Sequence, residues 1–329
     1  MRRILIVGAG FFGRVIERRL ADEGIASVVA SRNTDVRLDV EDRRSIARVL
    51  RPDDVIIDTA GPFQTRSTWL LEGAIERVCD VVDLSDSLGY AERVLALADR
   101  AAAADVRVLT SCSAIAAVAA AAIGSRGGDA PESCDLFLAP ASSETSNPAT
   151  VRAFLGSVGA PIRTFRDGRL SRARGWSESR PFPGDHRRGN LVESAAAVLL
   201  PVRWPSLRRV EFWVDPNAPL ASSALALAAR VGMSRALSAL APIVAPVGRA
   251  FGRRDGVFAV AIRAGGREAS VALSAPRGSY VIAAEPAVMA AAALARGERM
   301  RPGIVPVDAQ LGADELWHRL RGLGVDVRT

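Results

Sequence analysis

A short apolar strand followed directly by three spaced glycines constrains this chain more than any other feature of its sequence. Residues 4–7 are apolar, Gly8, Gly10 and Gly13 form G-x-G-x-x-G, and residues 15–20 continue as a helix. In this context the first glycine makes a tight turn, the second lets backbone approach a diphosphate, and the third lets the helix pack on the strand. The diphosphate then sits at the positive end of the helix. These residues predict a dinucleotide-binding domain.

The end of the second predicted strand indicates which dinucleotide binds. An NAD site places Asp or Glu about 20 residues after the glycines, where it accepts hydrogen bonds from the ribose 2′-hydroxyl. This chain has Ser31, Arg32 and Asn33 instead. Arg32 can form a fork onto a 2′-phosphate and Ser31 can add a donor. An ordinary solvated arginine in a turn is the alternative, and we expect NADP(H).

The order of predicted elements gives an α/β fold class with three segments. Strands at 26–30, 36–40, 55–59, 81–84 and 106–110 alternate with helical patterns, which predicts a Rossmann-type doubly wound parallel sheet over residues 1–128. Short connections between strands at 257–263, 269–274 and 280–283 predict a second α+β domain, residues 129–281, with a mostly antiparallel sheet. Residues 163–190 are polar enough to predict a long loop, and helices in residues 282–329 are expected to return to the Rossmann domain.

Composition excludes several function classes. The 43 basic residues are all arginine, so a Schiff-base lysine and a P-loop lysine are both excluded. The arginines are scattered rather than arranged in a basic stripe with aromatic residues, so the net charge of +7 favours an anionic cofactor and an anionic small-molecule substrate over nucleic acid. Three distant cysteines and two histidines form no metal-binding pattern and predict reduced thiols in the cytoplasm.

No uncharged apolar run reaches the roughly 18–20 residues of a membrane-spanning helix. The chain starts with its first strand, so we expect no signal peptide. Residues 221–248 are the most apolar long segment, and they predict a buried helix pair or one that forms a homodimer. A contact surface for a membrane is the alternative interpretation.

The sequence resembles the saccharopine dehydrogenase-like (saccharopine reductase-like) oxidoreductases. The resemblance is carried by segments 8–13, 30–33, 38–40, 55–64 and 81–85, which read GAGFFG, ASRN, LDV, VIIDTAGPFQ and VVDLS. It is specific over about the first 115 residues and loose beyond them, with a weaker likeness at 299–306 and 316–324.

The resemblance implies a set of cofactor contacts. The Ala60-Gly61-Pro62 turn would lie against the nicotinamide half, and Asp39 with Val40 would border the adenine. Together with the glycine turn and the end of the second strand, the predicted cofactor-binding residues are Gly8, Gly10, Phe11, Phe12, Gly13, Ser31, Arg32, Asn33, Asp39, Val40, Ala60, Gly61 and Pro62.

The resemblance also implies a substrate with a C–N bond between amino-acid carboxylates, or a related carbonyl compound. Arginine forks suit such carboxylates, and the candidates are Arg66, Arg174, Arg187 and Arg188, for each of which an ordinary solvated arginine is the alternative. His186 is the candidate acid–base residue, because its ordinary pKa suits proton transfer.

Three hypotheses follow. The first is an NADP(H)-dependent oxidoreductase of the saccharopine dehydrogenase type. The second is a non-catalytic NADP(H)-binding sensor or scaffold, and the third is a membrane-associated reductase of a lipid-like substrate. Cofactor titration and a screen of keto acids with amines discriminate between them.

Overall fold

The computed structural model describes residues 1–126, 130–217 and 234–329. They form two compact units: Met1–Ala121 with Ala283–Gly312, and Ala122–Ile282 with Ala313–Thr329. The expected boundary between residues 128 and 129 lies outside the described residues.

Strands and helices alternate along most of the chain before residue 126. In order they are β1 (Ile4–Val7), α1 (Phe11–Asp22), β2 (Ser27–Ser31), β3 (Val36–Arg37), α2 (Arg43–Val49), β4 (Val55–Asp58), α3 (Trp69–Glu76), β5 (Asp80–Asp83), α4 (Leu88–Leu95), α5 (Ala98–Ala103), β6 (Arg107–Leu109), a π-helical turn (Ala114–Val118) and α6 (Ala119–Gly124). From 130 to 217 they are β7 (Ser133–Ala139), α7 (Ser142–Thr145), α8 (Pro148–Ser157), β8 (Pro161–Arg166), β9 (Arg169–Arg174), β10 (Ser179–Pro181), β11 (Arg188–Val192), α9 (Ala196–Arg203) and β12 (Arg209–Val214). From 234 they are α10 (Ser234–Ala239), α11 (Ala241–Phe251), β13 (Gly256–Ala264), β14 (Arg267–Ala275), α12 (Val281–Arg296), β15 (Gly303–Ile304), a 3₁₀ turn (Val307–Ala309), α13 (Ala313–Gly322) and β16 (Asp326–Arg328).

The first unit is built on a parallel sheet, which confirms the predicted fold class. Within the described residues its strand order is β15-β6-β5-β4-β1-β2-β3. From β3 to β6 this is the order of a dinucleotide-binding sheet. Strands β1 and β4 are apolar on both faces because each face is covered: Ile6 and Ile57 pack into one core cluster, while Leu5 and Ile56 pack into another.

A distant part of the chain completes this first unit. Helix α12 supplies buried alanines to the core that also contains Ile6 and Leu20. Arg19 on α1 donates to Glu285 on α12 at 3.2 Å, and the Glu285 side chain is fully buried. Beyond α12, β15 pairs with β6, and Gln310 Nε2 donates to the Thr110 carbonyl at 3.0 Å. The Arg19–Glu285 ion pair, the pairing of β15 with β6 and the hydrogen bond from Gln310 together hold residues 283–312 in the first unit.

The second unit holds a mostly antiparallel sheet, also as predicted. Its described strands follow the order β10-β11-β12-β7-β13-β14-β16, and β8 joins through β12 and β9. Only the β7–β12 pair among these is parallel. The long loop predicted at residues 163–190 is wrong: β8 and β9 form a hairpin there, and β10 pairs with β11. Three of the six residues of β9 are exposed arginines, so its strand pattern is hidden among polar residues.

Two further expectations need correction. The strand predicted at 280–283 is instead the beginning of α12, because its apolar residues continue into an alanine-rich helical run. Residues 313–329 do not return to the first unit: α13 and β16 belong to the second, where β16 pairs with β14. Only residues 283–312 return to the first unit. Of the apolar segment 221–248, residues 221–233 lie outside the described residues, and the rest forms α10 and most of α11.

Candidate functional site in the first unit

The glycine turn between β1 and α1 is built as the fingerprint requires. Gly8 has φ +111°, a conformation that side chains rarely adopt, and a Cβ on Gly13 would lie 1.9 Å from the Gly8 carbonyl oxygen. A Cβ on Gly10 would meet nothing within 4 Å. Gly10 precedes α1 without a side-chain cap, and no acidic residue lies in the first helical turn. The turn therefore leaves an open, positive helix end at the sheet edge.

Thr59 locks this turn to the neighbouring strand, a role that sequence analysis missed. Its hydroxyl donates to the Val7 carbonyl at 3.0 Å and lies 3.1 Å from the Gly8 carbonyl. Its backbone N–H also donates to Val7. A threonine directly after an apolar strand was the only available signal.

The turn after β2 presents an arginine. The Ser31 hydroxyl accepts from the Asn33 N–H at 3.1 Å, and Thr34 Oγ1 accepts from the Ser31 N–H at 2.8 Å. Arg32 is exposed and forms no ion pair with any residue in the described ranges. The turn thus fixes its own backbone while leaving the Arg32 guanidinium available.

The segment after β3 borders the same edge. Asp39 is partly buried, and its carboxylate accepts from the Glu41 N–H at 2.9 Å while its own N–H donates to Ser45 at 3.1 Å. Val40 packs against the core beside it. The pair predicted to border the adenine is therefore held by the start of α2.

A buried ion pair shapes the turn after β4. Arg66 Nη1 donates to Asp58 Oδ1 at 2.8 Å and to the Ala60 carbonyl at 2.7 Å, while Gly61 and Pro62 stay exposed across a cis peptide bond. Burial lowers the pKa of Arg66, but the charge and hydrogen bond of Asp58, together with Tyr90 and Asp83, outweigh this effect, and the pKa is raised.

Arg66 was expected to hold a substrate carboxylate, and its position argues otherwise. The residue is only 6% exposed, and its guanidinium lies over the rings of Phe63 and Tyr90 at 5.0 and 5.5 Å. We therefore assign Arg66 to positioning the Ala60-Gly61-Pro62 turn. Sequence could not reveal this, because Asp58 and Arg66 look like ordinary strand-end and loop charges.

Asp83 organises the ends of β5 and β6. It lies beside Asp58 in register, and its Oδ1 accepts from the N–H groups of Ser85 and Ser111, both at 2.9 Å. Burial raises the pKa of Asp83 to about 6, partly opposed by these hydrogen bonds. Ser111 has φ +52°, a strained conformation for a non-glycine residue, and a π-helical turn follows it. Both features are typical of functional sites.

Asp86 is a second functional candidate that sequence analysis missed. Its side chain is exposed just beyond β5, and Gln64 Nε2, which follows the Gly61-Pro62 turn, donates to its Oδ1 at 3.3 Å. An accessible carboxyl group beside the Gly61-Pro62 turn is placed for proton transfer.

The predicted residues of the second unit lie on and near its β10–β11 hairpin. The His186 side chain is 84% exposed, with Nδ1 3.1 Å from Asp185. Arg187 is paired with both Asp185 and Asp255, and Arg188 donates to the Ser179 hydroxyl at 3.1 Å. Arg174 is exposed at the end of β9. Arg187 is therefore committed to internal ion pairs.

Buried acids of the second sheet face arginines rather than an open edge. Asp135 on β7 and Glu211 on β12 are neighbours in register and nearly fully buried. Asp135 accepts from Arg209 at 2.7 Å and from Arg180, while Glu211 accepts from Arg166. Burial raises the pKa of Glu211, and the arginine beside it opposes the shift.

The described residues offer neither a metal centre nor a membrane span. Across them, no group of three or more His, Cys, Asp or Glu side chains is arranged to hold a metal ion. Cys79, Cys112 and Cys134 are buried thiols whose pKa is raised by burial. None of the described helices is long and apolar enough to cross a membrane.

Comparisons with known proteins identify the fold. No family model matches the sequence, and no curated protein sequence matches it. The apo form of saccharopine dehydrogenase (L-Glu forming) from Saccharomyces cerevisiae is similar over 100% of this chain and 99% of its own, with a TM-score of 0.65 and 15% identity. The chain has a saccharopine dehydrogenase-like fold. Weaker structural similarities, with TM-scores of 0.43 and 0.42, include GenD2 from gentamicin A biosynthesis in complex with NAD (13% identity) and the C. glutamicum DAP dehydrogenase in complex with DAP (16%). GenD2 is similar over 100% of this chain and 96% of its own, and the DAP dehydrogenase over 97% and 98%.

Proposed function

We propose that this saccharopine dehydrogenase-like chain is an NADP(H)-dependent oxidoreductase. The observation that carries the proposal is the strand–turn–helix at Gly8, Gly10 and Gly13. The N-terminus of α1 has no side-chain cap there, and a Cβ on Gly10 would meet no atom within 4 Å. Such an end suits a diphosphate. The full-length likeness to the yeast saccharopine dehydrogenase supports the class of reaction.

The preference for NADP(H) rests on Arg32. An exposed guanidinium without an acidic partner among the described residues can form paired hydrogen bonds with a 2′-phosphate. The proposed binding set also includes Phe11, Phe12, Ser31 and Asn33 on the glycine and β2 turns. Asp39 and Val40 complete it at the adenine end, and Ala60, Gly61 and Pro62 at the nicotinamide end.

When bound, the nicotinamide supplies or accepts the hydride. The protein's part is to hold that ring at the Gly61-Pro62 turn, which Arg66 and Asp58 fix from behind. We place the matching proton on Asp86 rather than on His186. Asp86 is tied to that turn, because Gln64, two residues after Pro62, donates to Asp86 Oδ1 at 3.3 Å. Arg174 and Arg188, both exposed, remain the proposed contacts for an anionic substrate.

The substrate class proposed is an amino-acid-derived compound with a C–N bond, or a related carbonyl compound. We further propose that the protein works in the cytoplasm as a homodimer. A screen of keto acids with amines, read by NADPH oxidation, tests the substrate class, and light scattering tests the dimer.

Titration of the purified protein with NADPH and NADH tests the cofactor. Arg32→Ala is expected to weaken NADPH binding by about 1.5–3 kcal/mol, the range for hydrogen bonds to charged groups, and to leave NADH binding nearly unchanged. Arg37→Ala, at an exposed position on β3, is the matched control. Equal losses for both cofactors would contradict NADP(H) specificity.

A further inference from the structure

Helix α11 carries its large apolar side chains on the outside. Ile243, Val247 and Phe251 are 67%, 52% and 76% exposed, and Leu240 and Val244 add 45% and 37%. These positions recur at the spacing of one helical face. Scattered exposed apolar residues are normal, whereas a continuous row on one element marks an interaction surface.

The inner face of α11 consists of small residues, and their close packing determines which face of the helix turns inward. Ala241 and Ala245 are fully buried beside Val151 and Leu155 of α8. A Cβ on Gly248 would lie 2.6 Å from the Ser146 hydroxyl, so bulkier residues do not fit there.

The end of α11 is tied down as well. The Arg253 N–H donates to the Ser142 hydroxyl at 3.0 Å, and the Arg253 carbonyl accepts from the N–H and hydroxyl of Ser143 at 3.0 and 2.9 Å. Rotation of α11 to bury its outer row would break this packing, so the row faces outward as a built feature.

The charged residues of the sequence segment that contains α11 have one sign. Between Asp215 and Asp255 the sequence contains five arginines and no acidic residue. Arg249, Arg253 and Arg254 are exposed at the Phe251 end, and none forms an ion pair within the described part of the chain. An apolar row bordered by unpaired arginines is typical of helices that lie in a membrane interface.

We propose that the outer face of α11 docks on a lipid surface containing anionic headgroups, with Ile243, Val247 and Phe251 inserted among the acyl chains. The arginines beside Phe251 would then meet lipid phosphates. A second copy suits this face less well, because the same segment of a second copy contains no acidic residue to pair with the arginines, whereas lipid phosphates supply the opposite charge. The helix of about 16 Å would lie in the plane of the interface.

Co-sedimentation of the full chain with vesicles tests the proposal. We expect binding to phosphatidylcholine vesicles containing phosphatidylglycerol, little binding to phosphatidylcholine alone, and weaker binding at high salt. The double variant Ile243→Ser/Val247→Ser should bind the anionic vesicles roughly tenfold or more weakly. Val202→Ser is the matched control, since Val202 is 69% exposed on a different helix and should leave binding unchanged.

Phe251→Trp gives a readout that does not depend on the stability of the double variant. Its fluorescence should shift to shorter wavelength when anionic vesicles are added. The proposal is overturned if the wild type does not bind these vesicles, or if the double variant binds them equally well. It is also overturned if light scattering shows a dimer that the double variant converts to monomer. NADPH affinity should not change in any α11 variant, so this test is independent of the proposed function.

Discussion

Both units bury carboxylates in their sheets, and they use them differently. In the first unit Asp58 and Asp83 lie at the last positions of adjacent parallel strands, where they hold the turns that follow. In the second, Asp135 and Glu211 lie within adjacent strands, and arginines from other strands cover them. Here the buried carboxylates at the carboxyl ends of strands fix the turns that follow, whereas those within strands tie strands together.

Asp86 and His186 give the sharpest test of which unit supplies the acid–base residue. Asp86→Asn should lower turnover on the order of a hundredfold or more, the usual range for loss of a general acid–base, and leave NADPH affinity nearly intact. His186→Ala should leave turnover unchanged. The variants are compared by steady-state rates across pH, with Glu76→Gln, an exposed helix position, as the control. If His186→Ala instead lowers turnover strongly, the acid–base role belongs to His186 in the second unit.

Arg66→Met tests the buried pair of the first unit. It would leave Asp58 buried without its partner, and removal of one member of a buried pair costs about 3–5 kcal/mol. Denaturant unfolding should show a lower free energy of unfolding, and NADPH binding should weaken as the Gly61-Pro62 turn loosens. The half-exposed Arg209→Met provides the comparison from the second unit and should cost less. A larger loss for Arg209→Met would reverse the comparison.

Gly13 and Gly10 form a matched pair in one turn. Gly13→Ala forces a Cβ onto the Gly8 carbonyl and should lower the free energy of unfolding by about 3 kcal/mol. Gly10→Ala has free space and should change stability by no more than about 0.5 kcal/mol while weakening NADPH binding. Thermal melts with and without NADPH separate the two effects. Unchanged NADPH binding in Gly10→Ala would contradict the proposed diphosphate site.

The raised pKa of Asp83 predicts a pH dependence of stability. The folded state holds the proton with a pKa of about 6 and the unfolded state near the ordinary value of 3.8, so the folded state binds more protons between these values. Stability from this group is therefore present at low pH and lost as pH rises through about 4 to 6. Relative to Asp83→Asn, the wild-type free energy of unfolding should fall on the order of 2–3 kcal/mol between pH 4 and pH 7. If the difference in free energy of unfolding between the two proteins stays constant from pH 4 to pH 7, the raised pKa of Asp83 is contradicted.

The first unit was predictable from sequence because its signals are local. Each apolar strand leads into its helix, and the glycine spacing dictates a turn that the structure contains. The links between strand ends were not predictable: Ser111 meets Asp83 only through the register of β5 and β6, and Arg66 meets Asp58 only after the chain has turned back.

In the second unit, prediction from the sequence failed where arginines stand at strand positions that are usually apolar. The sequence RLSRAR of β9 has no apolar alternation strong enough to predict an edge strand, so its polar residues predict a loop. Its pairing with β8 supplies what the sequence pattern lacks. The apolar residues at 280–283 were assigned to a strand because four residues do not distinguish a strand from the first turn of a helix.

The return of α12 and β15 to the first unit has a consequence for biosynthesis. Residues up to 121 leave the ribosome first, yet the core cluster that contains Ile6 and Leu20 is completed only when residues 284–305 follow. At ordinary synthesis rates the intervening segment takes roughly 10–30 s to appear. During that interval the nascent sheet exposes an apolar face and an unpaired β6 edge, so the protein depends on chaperone protection or on late folding of its first unit.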